Sequence, residues 1–145
     1  MARPQNNRKV NTPPLFSRFK PIGVKGKDLN SIVLTLDEYE AIRLADLEGL
    51  NHEDAAKLMS ISRSTFSRLI DKARKKTADF LINGAILEVE GGKIHFTNNL
   101  IQCEDCNEYF KTNINIVPTE CPFCKSKNLI VITERFGHGN CCRTE

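Results

Sequence analysis

The sixteen residues Asn51–Phe66, NHEDAAKLMSISRSTF, decide the first part of the fold. Asn51 can cap a short helix, whose acidic first turn the helix dipole favours. Ser60 and Ile61 interrupt the helical pattern, and Ser62 can cap a second helix. The stretch therefore predicts a short helix, a tight turn and a longer helix, the arrangement that places side chains in a DNA major groove.

The helix after the turn has an apolar face and a basic face. The apolar residues recur at helical spacing and are expected to face inward: Phe66, Leu69, Ile70, Ala73, Thr77, Phe80 and Leu81. A helix-turn-helix reads bases with the first turns of its second helix, so the expected base contacts are Arg63, Ser64, Ser67 and Arg68. Thr65 either reaches a base or supports the first turn. Lys72, Arg74, Lys75 and Lys76 lie further along, where phosphate contacts are expected. The alternative is an ordinary helical hairpin with a solvated basic face.

A scaffold helix is predicted before this motif. Thr35 or Asp37 can cap it, and the acidic residues of its first turn suit a helix N-terminus. Its buried stripe is expected to consist of Ala41, Ile42, Leu44, Ala45 and Leu47. Gly49 is the expected end of the helix.

Residues 1–33 are predicted to form a basic N-terminal arm. They contain four of the six prolines and no sustained helical or strand period. Arg3, Arg8 and Lys9 are candidates to enter a minor groove or to lie along phosphates. The equally acceptable alternative is a solvated basic tail, since the net charge of +3 does not by itself indicate a nucleic-acid partner.

At these residues the chain resembles known families. Asn51–Phe66 is similar to the helix-turn-helix of region 4 of primary-type sigma factors and of the regulators that share it. The matching positions are Glu53, Asp54, Ala56, Met59 and the run from Ile61 to Phe66, whereas Ser60 stands where glycine is usual. A longer similarity runs from MARP through PPLF, FKPIG and LDEYEAIRLAD to ARKKTADFLINGA. It is to a prokaryotic family of small, uncharacterised, predicted DNA-binding proteins, and it implies DNA binding by the helix that starts near Ser62.

Beyond Gly84, which is expected to end the long helix, the period changes to two. Ile86–Phe96 predicts a β-hairpin that turns at Gly91 and Gly92. Its apolar face would pair Val89 with Ile94 and Leu87 with Phe96. On its other face Glu90 would oppose Lys93 and Glu88 would oppose His95, so His95 is interpreted as the partner of a carboxylate.

Two Cys-x-x-Cys pairs give the second strong signal: Cys103 with Cys106, and Cys121 with Cys124. The fourteen intervening residues are close to the roughly 15–20 typical of such sites. Four thiolates match tetrahedral Zn(II) in a closed structural site, and the segment resembles zinc ribbons. One structural zinc ion is therefore expected, with iron as the main rival ion and a redox pair as the less suitable alternative.

The tail carries His138, Cys141 and Cys142. These residues are candidates for a second, exposed metal or redox site. The preferred interpretation is free thiols on a disordered tail, since only three ligands are visible and a closed site needs four.

Together these patterns predict an α+β protein: a mainly α helix-turn-helix domain with a short β-hairpin, followed by a small β zinc ribbon. The expected boundaries are 1–33 for the arm, 34–98 for the DNA-binding domain, 99–135 for the ribbon and 136–145 for the tail. No apolar run approaches the roughly 18 residues of a membrane span, and no signal peptide is recognisable, so a cytoplasmic location is expected. No nucleophilic arrangement or phosphate loop is present, so an enzyme is not expected.

The predicted function is sequence-specific binding of double-stranded DNA, as a transcriptional regulator and a homodimer, with a small-molecule or metal effector as a further possible partner. One alternative is an RNA- or ribosome-associated protein that binds through the zinc ribbon. Another is a metal- or redox-responsive DNA-binding switch that uses the C-terminal cysteines.

Overall fold

The computed structural model describes residues 7–143, apart from the side chain of Asn140, and it divides into two compact units. Unit 1 contains the described residues up to Lys9 together with Phe16–Ile94. Unit 2 contains Val10–Leu15 together with the described residues from His95 onward. The combination of helices and strands confirms the α+β class.

Unit 1 places helices between two strands of one sheet. The order along the chain is β2 (Arg18–Phe19), β3 (Ser31–Leu34), α1 (Leu36–Ile42), α2 (His52–Met59), α3 (Arg63–Asn83) and β4 (Ile86–Val89). β4 lies in the middle of the sheet, antiparallel to β2 and parallel to β3. Parallel neighbours need a long crossover, which the three helices supply. A short β1 (Arg8–Val10) pairs with β5 (Ile94–Phe96).

This topology corrects two predictions. The described part of residues 1–33 is not a separate arm, because it supplies β1, β2 and most of β3. The hairpin over Ile86–Phe96 is also wrong, because β4 pairs with β2 and β3 whereas β5 pairs with β1. An alternating pattern indicates which face of a strand is buried, but it does not identify the partner strand. β4 is buried at three of its four positions, as expected for a central strand.

Side-chain caps define the helix ends as predicted. Thr35 and Glu38 form a capping box at α1. Asn51 Oδ1 accepts a hydrogen bond from the Asp54 N–H at 2.8 Å at the start of α2. Gly84, with φ of 69°, ends α3 in the left-handed conformation. The predicted caps of all three helices are therefore confirmed.

The helices of unit 1 share one apolar core, which consists of Ala41, Leu44, Ala55, Ala56, Met59, Phe66, Leu69 and Ile70. Two residues expected in the buried stripes are instead exposed: Leu47 is 78% exposed and Leu81 is 71% exposed. After α1 the chain widens into a π-helical turn over Arg43–Leu47, whose extra residue per turn rotates Leu47 away from the stripe. Leu81 lies in the last turn of α3, beyond the buried part of that helix.

Unit 2 is a small sheet in the order β7–β6–β8, with β6 (Asn98–Cys103) between β7 (Tyr109–Asn113) and β8 (Leu129–Val131). Short 3-10 turns follow over Ile132–Phe136 and Asn140–Cys142. Buried polar side chains hold the loops: Asn99 Nδ2 donates to the carbonyl of Ile116 at 3.1 Å, and Thr133 Oγ1 accepts from the Leu100 N–H at 3.1 Å. The boundary predicted at residues 135 and 136 is absent, because the tail belongs to this unit.

In the described part of the chain, no helix combines the length and the apolar character that crossing a membrane requires.

Candidate nucleic-acid interface and cysteine clusters

The start of α3 is built by a serine cap and leaves Arg63 and Ser64 exposed. Ser62 Oγ accepts from the Thr65 N–H at 3.2 Å and donates to Thr65 Oγ1 at 2.7 Å. The Thr65 hydroxyl therefore supports the first turn, which was one of its two interpretations. Two residues before this cap, Ser60 is in the left-handed region with φ of 59°. The turn thus has the geometry that glycine usually supplies, although serine occupies it.

Ser67 is engaged within the protein. Its Oγ lies 2.8 Å from Nδ1 of His52 on α2, and the His52 ring packs edge-on against Phe66 at a centroid distance of 5.3 Å. This hydroxyl joins α3 to α2. Its predicted role as a base contact therefore requires the His52 bond to open.

The cations of α3 fall into two sets. Arg74 forms a bidentate pair with Asp46, in which Nη2 lies 2.7 Å from Oδ1, and this bond lowers the pKa of the Asp46 carboxyl. Lys76 Nζ lies 2.6 Å from Oε1 of the buried Glu38. These two residues hold α3 to neighbouring segments of unit 1, so a phosphate contact by either of them would require its ion pair to open.

The second set points into solvent. It consists of Arg63, Arg68, Lys72 and Lys75, all of which are exposed. Among residues 7–143, no acidic side chain forms an ion pair with any member of this set. These charges are therefore available to an external anion.

A groove of about 1040 Å³ runs beside this face within unit 1. Its basic lining residues are Arg8, Arg68, Lys72, Lys76 and Lys93, against the acids Asp37 and Glu38. Of these cations, Arg68, Lys72 and Lys93 are exposed and have no ion pair within the described residues. Sequence reasoning missed Lys93, because the predicted hairpin assigned it to Glu90. Its location depends on strand partners that the local pattern does not specify.

Glycine places Lys93 beside α1. Gly92 has φ of 97°, and a Cβ there would lie 3.0 Å from Asp37 Oδ1. Both the positive φ and the close approach of the loop to the start of α1 therefore favour glycine at this position. The Leu36 N–H donates to the Gly91 carbonyl at 3.0 Å, which holds the loop in place.

The three basic residues of the predicted arm have different surroundings. Arg3 lies outside the described residues. Arg8 is in β1, where Nη1 lies 2.6 Å from Asp37 Oδ2 and the side chain is only 16% exposed. Lys9 is exposed in the same strand. Arg8 is therefore part of the fold and is not a free arm residue, since β1 carries it to a buried carboxylate.

The two Cys-x-x-Cys segments form two turns with the same backbone. The N–H of Asn107 donates to the Cys103 carbonyl, and that of Lys125 donates to the Cys121 carbonyl, both at 2.9 Å. Asn107 and Lys125 are both left-handed, with φ of 61° and 65°. Each turn therefore presents its two thiols on one side.

The two turns bring Cys103, Cys106, Cys121 and Cys124 together, with all four Sγ atoms within 4.8 Å of one another. The Sγ atoms of Cys103 and Cys124 lie 3.5 Å apart, and those of Cys106 and Cys121 lie 3.7 Å apart. A tetrahedral ion with Zn–S bonds of about 2.3 Å requires S–S edges of about 3.8 Å, whereas a disulfide requires about 2.05 Å. The spacing fits four ligands of one ion, so this cluster can bind a metal.

The neighbouring thiols influence the ionisation of one another in opposite directions. The backbone N–H of Cys106 is the main influence that lowers the pKa of Cys103 to about 7. The Glu108 backbone N–H lowers the pKa of Cys106. Burial and the neighbouring thiols outweigh this effect and raise that pKa to about 12. One thiolate therefore forms readily while its neighbour resists a second charge. A divalent cation among them removes that opposition.

A second cluster is formed by His95, His138, Cys141 and Cys142, whose ligand atoms also lie within 4.8 Å of one another. Cys142 is buried, and its Sγ lies 3.4 Å from Nδ1 of His95 and 3.6 Å from Nδ1 of His138. Burial, with a smaller contribution from the charge of His95, lowers the pKa of His138. A neutral imidazole is the form that binds a metal. This cluster too can bind a metal.

This second cluster corrects the interpretation of His95. The hairpin that would oppose it to Glu88 does not form, and Glu88 forms an ion pair with Arg18. It lies on β5, where it adds a fourth ligand to the three visible in the tail. Folding of the segment between His95 and His138 brings this ligand to the others, so no local pattern could have identified it.

Comparison with known proteins shows the family to which the chain belongs. A family model described as "Protein of unknown function DUF134" matches residues 1–97. The chain belongs to this family. A UPF0251 protein of Chloroherpeton thalassium is 45% identical over 89% of this chain and 85% of its own length. A UPF0251 protein of Clostridium novyi is 41% identical over 91% of this chain and 90% of its own length. No solved structure matches.

In this DUF134 chain the family match covers all of unit 1's described residues and ends shortly after His95. The candidate interface on α3 thus lies inside the matched region, whereas all six cysteines lie beyond it. The similarity to the Chloroherpeton and Clostridium proteins extends further, over 129 and 132 residues respectively.

Proposed function

We propose that this DUF134 protein binds double-stranded DNA and regulates transcription, with α2, the turn at Ser60–Ser62 and α3 acting as a helix-turn-helix of the sigma-region-4 type. In this arrangement α3 enters the major groove. Arg63 and Arg68 lie in its first turns, where arginine can bond guanine bidentately. Ser64 is a further candidate base contact.

The division of the α3 cations carries the proposal. Two of them, Arg74 and Lys76, form ion pairs with acidic residues of unit 1. Those nearest the start of α3 have no such partner within residues 7–143 and remain exposed. The unpaired cations in the first turns of α3 therefore lie where a helix-turn-helix contacts DNA.

The groove beside α3 extends this surface. Lys72 and Lys75 follow the reading residues along the helix, and Lys93 lies on the groove wall with Arg68 and Lys72. We assign Lys72, Lys75 and Lys93 to phosphate, where lysine positions the protein without reading sequence. Lys9 is exposed and remains a candidate for the same role, as does Arg3.

The four-cysteine cluster has a supporting role in this proposal. Cys103, Cys106, Cys121 and Cys124 would hold one structural Zn(II) and so form a zinc ribbon. A single helix-turn-helix reads few base pairs, so we propose a homodimer on a palindromic site with half-sites about 10 bp apart or a multiple of that spacing.

The experiment first selects the preferred duplex from a random pool and then compares Arg68→Ala with Arg74→Ala on it. These are the same substitution on the same helix, one in the free set and one in the paired set. We expect Arg68→Ala to weaken specific binding by about 1–3 kcal/mol and to relax one base preference. Arg74→Ala should leave DNA affinity unchanged, because its partner is Asp46.

Two results contradict the proposal. One is a selection that yields no preferred duplex. The other is an equal effect of both substitutions, which would mean that the division into free and paired cations does not decide which of them contact DNA. A parallel measurement on structured RNA at several salt concentrations tests the alternative partner. Tighter binding to RNA than to the selected duplex would favour the RNA-associated function.

A further inference from the structure

We propose that His95, His138, Cys141 and Cys142 form a second metal site, which takes one tetrahedral ion of the Zn(II) type independently of the four-cysteine cluster. The site goes beyond the proposed DNA binding and does not depend on it. All four ligands belong to unit 2.

The interatomic distances match a ligand tetrahedron. With bonds of about 2.3 Å to sulfur and about 2.0–2.1 Å to nitrogen, its edges are about 3.8 Å between two sulfurs and about 3.5 Å between sulfur and nitrogen. The Sγ atoms of Cys141 and Cys142 lie 3.7 Å apart. Cys142 Sγ lies 3.4 Å from Nδ1 of His95 and 3.6 Å from Nδ1 of His138. Cys141 Sγ lies 3.3 Å from Nδ1 of His138. Four edges therefore have the required length.

The local backbone gathers three ligands within five residues. Gly137 and Gly139 flank His138 with φ of 73° and 128°, values that glycine adopts without strain. The Cys142 N–H then donates to the Gly139 carbonyl at 3.2 Å, which closes a short turn. The turn directs His138, Cys141 and Cys142 to one point, and β5 supplies the fourth ligand there.

Contacts around the ligands suit a bound thiolate. The Phe96 N–H donates to Cys142 Sγ at 3.2 Å, a bond that stabilises negative charge on sulfur. The Phe96 ring packs edge-on against His138 at 5.2 Å and against Phe136 at 6.4 Å. These rings orient the imidazole and exclude water from one side of the site, while Cys141 stays exposed on the other.

The donor set selects the ion. Two thiolates and two neutral imidazoles in a tetrahedron are the ligands of Zn(II), whereas Ca(II) and Mg(II) require oxygen. A Cys141–Cys142 disulfide would need the sulfurs at about 2.05 Å, far closer than the observed spacing. A metal site therefore accounts for the arrangement better than a redox pair.

The ion would fasten the C-terminal segment to β5. His138, Cys141 and Cys142 belong to that segment, and His95 belongs to the strand, so loading joins two parts of the chain that are far apart in sequence. We expect the isolated three-ligand turn to bind weakly, because an open site lacks the fourth ligand that closes the tetrahedron.

The test is the zinc content of the reduced full-length chain after zinc loading and desalting, measured for wild type, His95→Gln and Cys141→Ser. The matched control is His52→Gln, which removes a histidine on α2. We expect two zinc ions per chain for wild type and His52→Gln, and one for each of the other variants. Replacement of zinc by Co(II) distinguishes the sites, since the absorption of a four-sulfur site differs from that of a two-sulfur, two-nitrogen site.

The variants also test whether the remaining site is intact. In His95→Gln the cobalt spectrum should be that of the four-sulfur site alone, which shows that the loss is local and that unit 2 still folds. Zinc should also protect Cys141 from alkylation in wild type and not in His95→Gln. One zinc ion in wild type, two in His95→Gln, or equal alkylation of Cys141 with and without zinc would each overturn the proposal.

Discussion

Units 1 and 2 reach an ordered structure by different means. In unit 1 three helices with side-chain caps surround a single apolar cluster that contains Met59, Phe66 and Ile70. In unit 2 a three-stranded sheet carries two clusters of cysteine and histidine at its loops and tail. Burial of apolar side chains is the usual source of stability for a small helical domain, whereas short irregular segments commonly need a metal to replace a core. The difference indicates that metal should control the stability of unit 2 and not that of unit 1.

The largest effect should follow the loss of a ligand in the four-cysteine cluster. Cys103→Ser should release that metal and unfold the two Cys-x-x-Cys turns, because metal binding at structural zinc sites supplies roughly 10–16 kcal/mol of apparent free energy. Metal analysis together with hydrogen exchange checks this prediction. Amides of α3 should keep their protection, while those of β6–β8 should lose theirs.

The contrast between the units would fail if Cys103→Ser removed the protection of α3 as well, or if metal content stayed unchanged. Cys141→Ser is the control, since it replaces an exposed thiol of the other cluster and leaves the two Cys-x-x-Cys turns complete.

A core substitution should show the reverse pattern. Ile70 is 0% exposed in the helical core, so Ile70→Ala should lower the free energy of unfolding of unit 1 by about 2–5 kcal/mol. Metal content should not change. Denaturant unfolding followed by helical circular dichroism measures the loss. Ile82→Ala provides the control on the same helix, because Ile82 is 81% exposed and its replacement should change stability by less than about 0.5 kcal/mol.

The smallest expected effect is a gain in the stability of unit 1. Ser60 is left-handed, a conformation that costs a non-glycine residue about 1–2 kcal/mol. Glycine avoids this cost but loses more chain entropy on folding, so only part of the difference appears as a gain in stability. Ser60→Gly should therefore raise the free energy of unfolding of unit 1 by a few tenths to about 1 kcal/mol. Ser64→Gly, inside α3, should lower it. A loss of stability in Ser60→Gly would show that the serine side chain contributes to the turn in a way that outweighs the strain.

Short-range signals predicted the parts of the chain that depend on neighbouring residues. The caps at Thr35, Asn51 and Ser62 were correct because a cap is a bond between residues three positions apart. The grouping of the four cysteines was correct for a related reason. Each Cys-x-x-Cys turn is local, and four thiols in two such turns have one common use.

Errors arose wherever a residue's partner lay far away in sequence. Arg8 was predicted to be a free arm residue, and pairing in β1 places it against Asp37. The contact of Ser67 with His52 was likewise not predicted, because it arises from the crossing of α2 and α3. His95 was assigned to a carboxylate across a hairpin that does not form. In each case the local pattern indicated the face correctly or left it open, but it carried no information on the opposing element.

The amino-acid sequence alone determined the helices and their caps, the turn at Ser60, and the two Cys-x-x-Cys turns, since each depends on backbone preferences and side chains within a few residues. Only the tertiary structure decided the strand partners, the separation of the α3 cations into paired and free sets, and the arrival of His95 among the tail ligands. The physical reason is that these features depend on which distant segments pack together, and packing is a property of the whole chain.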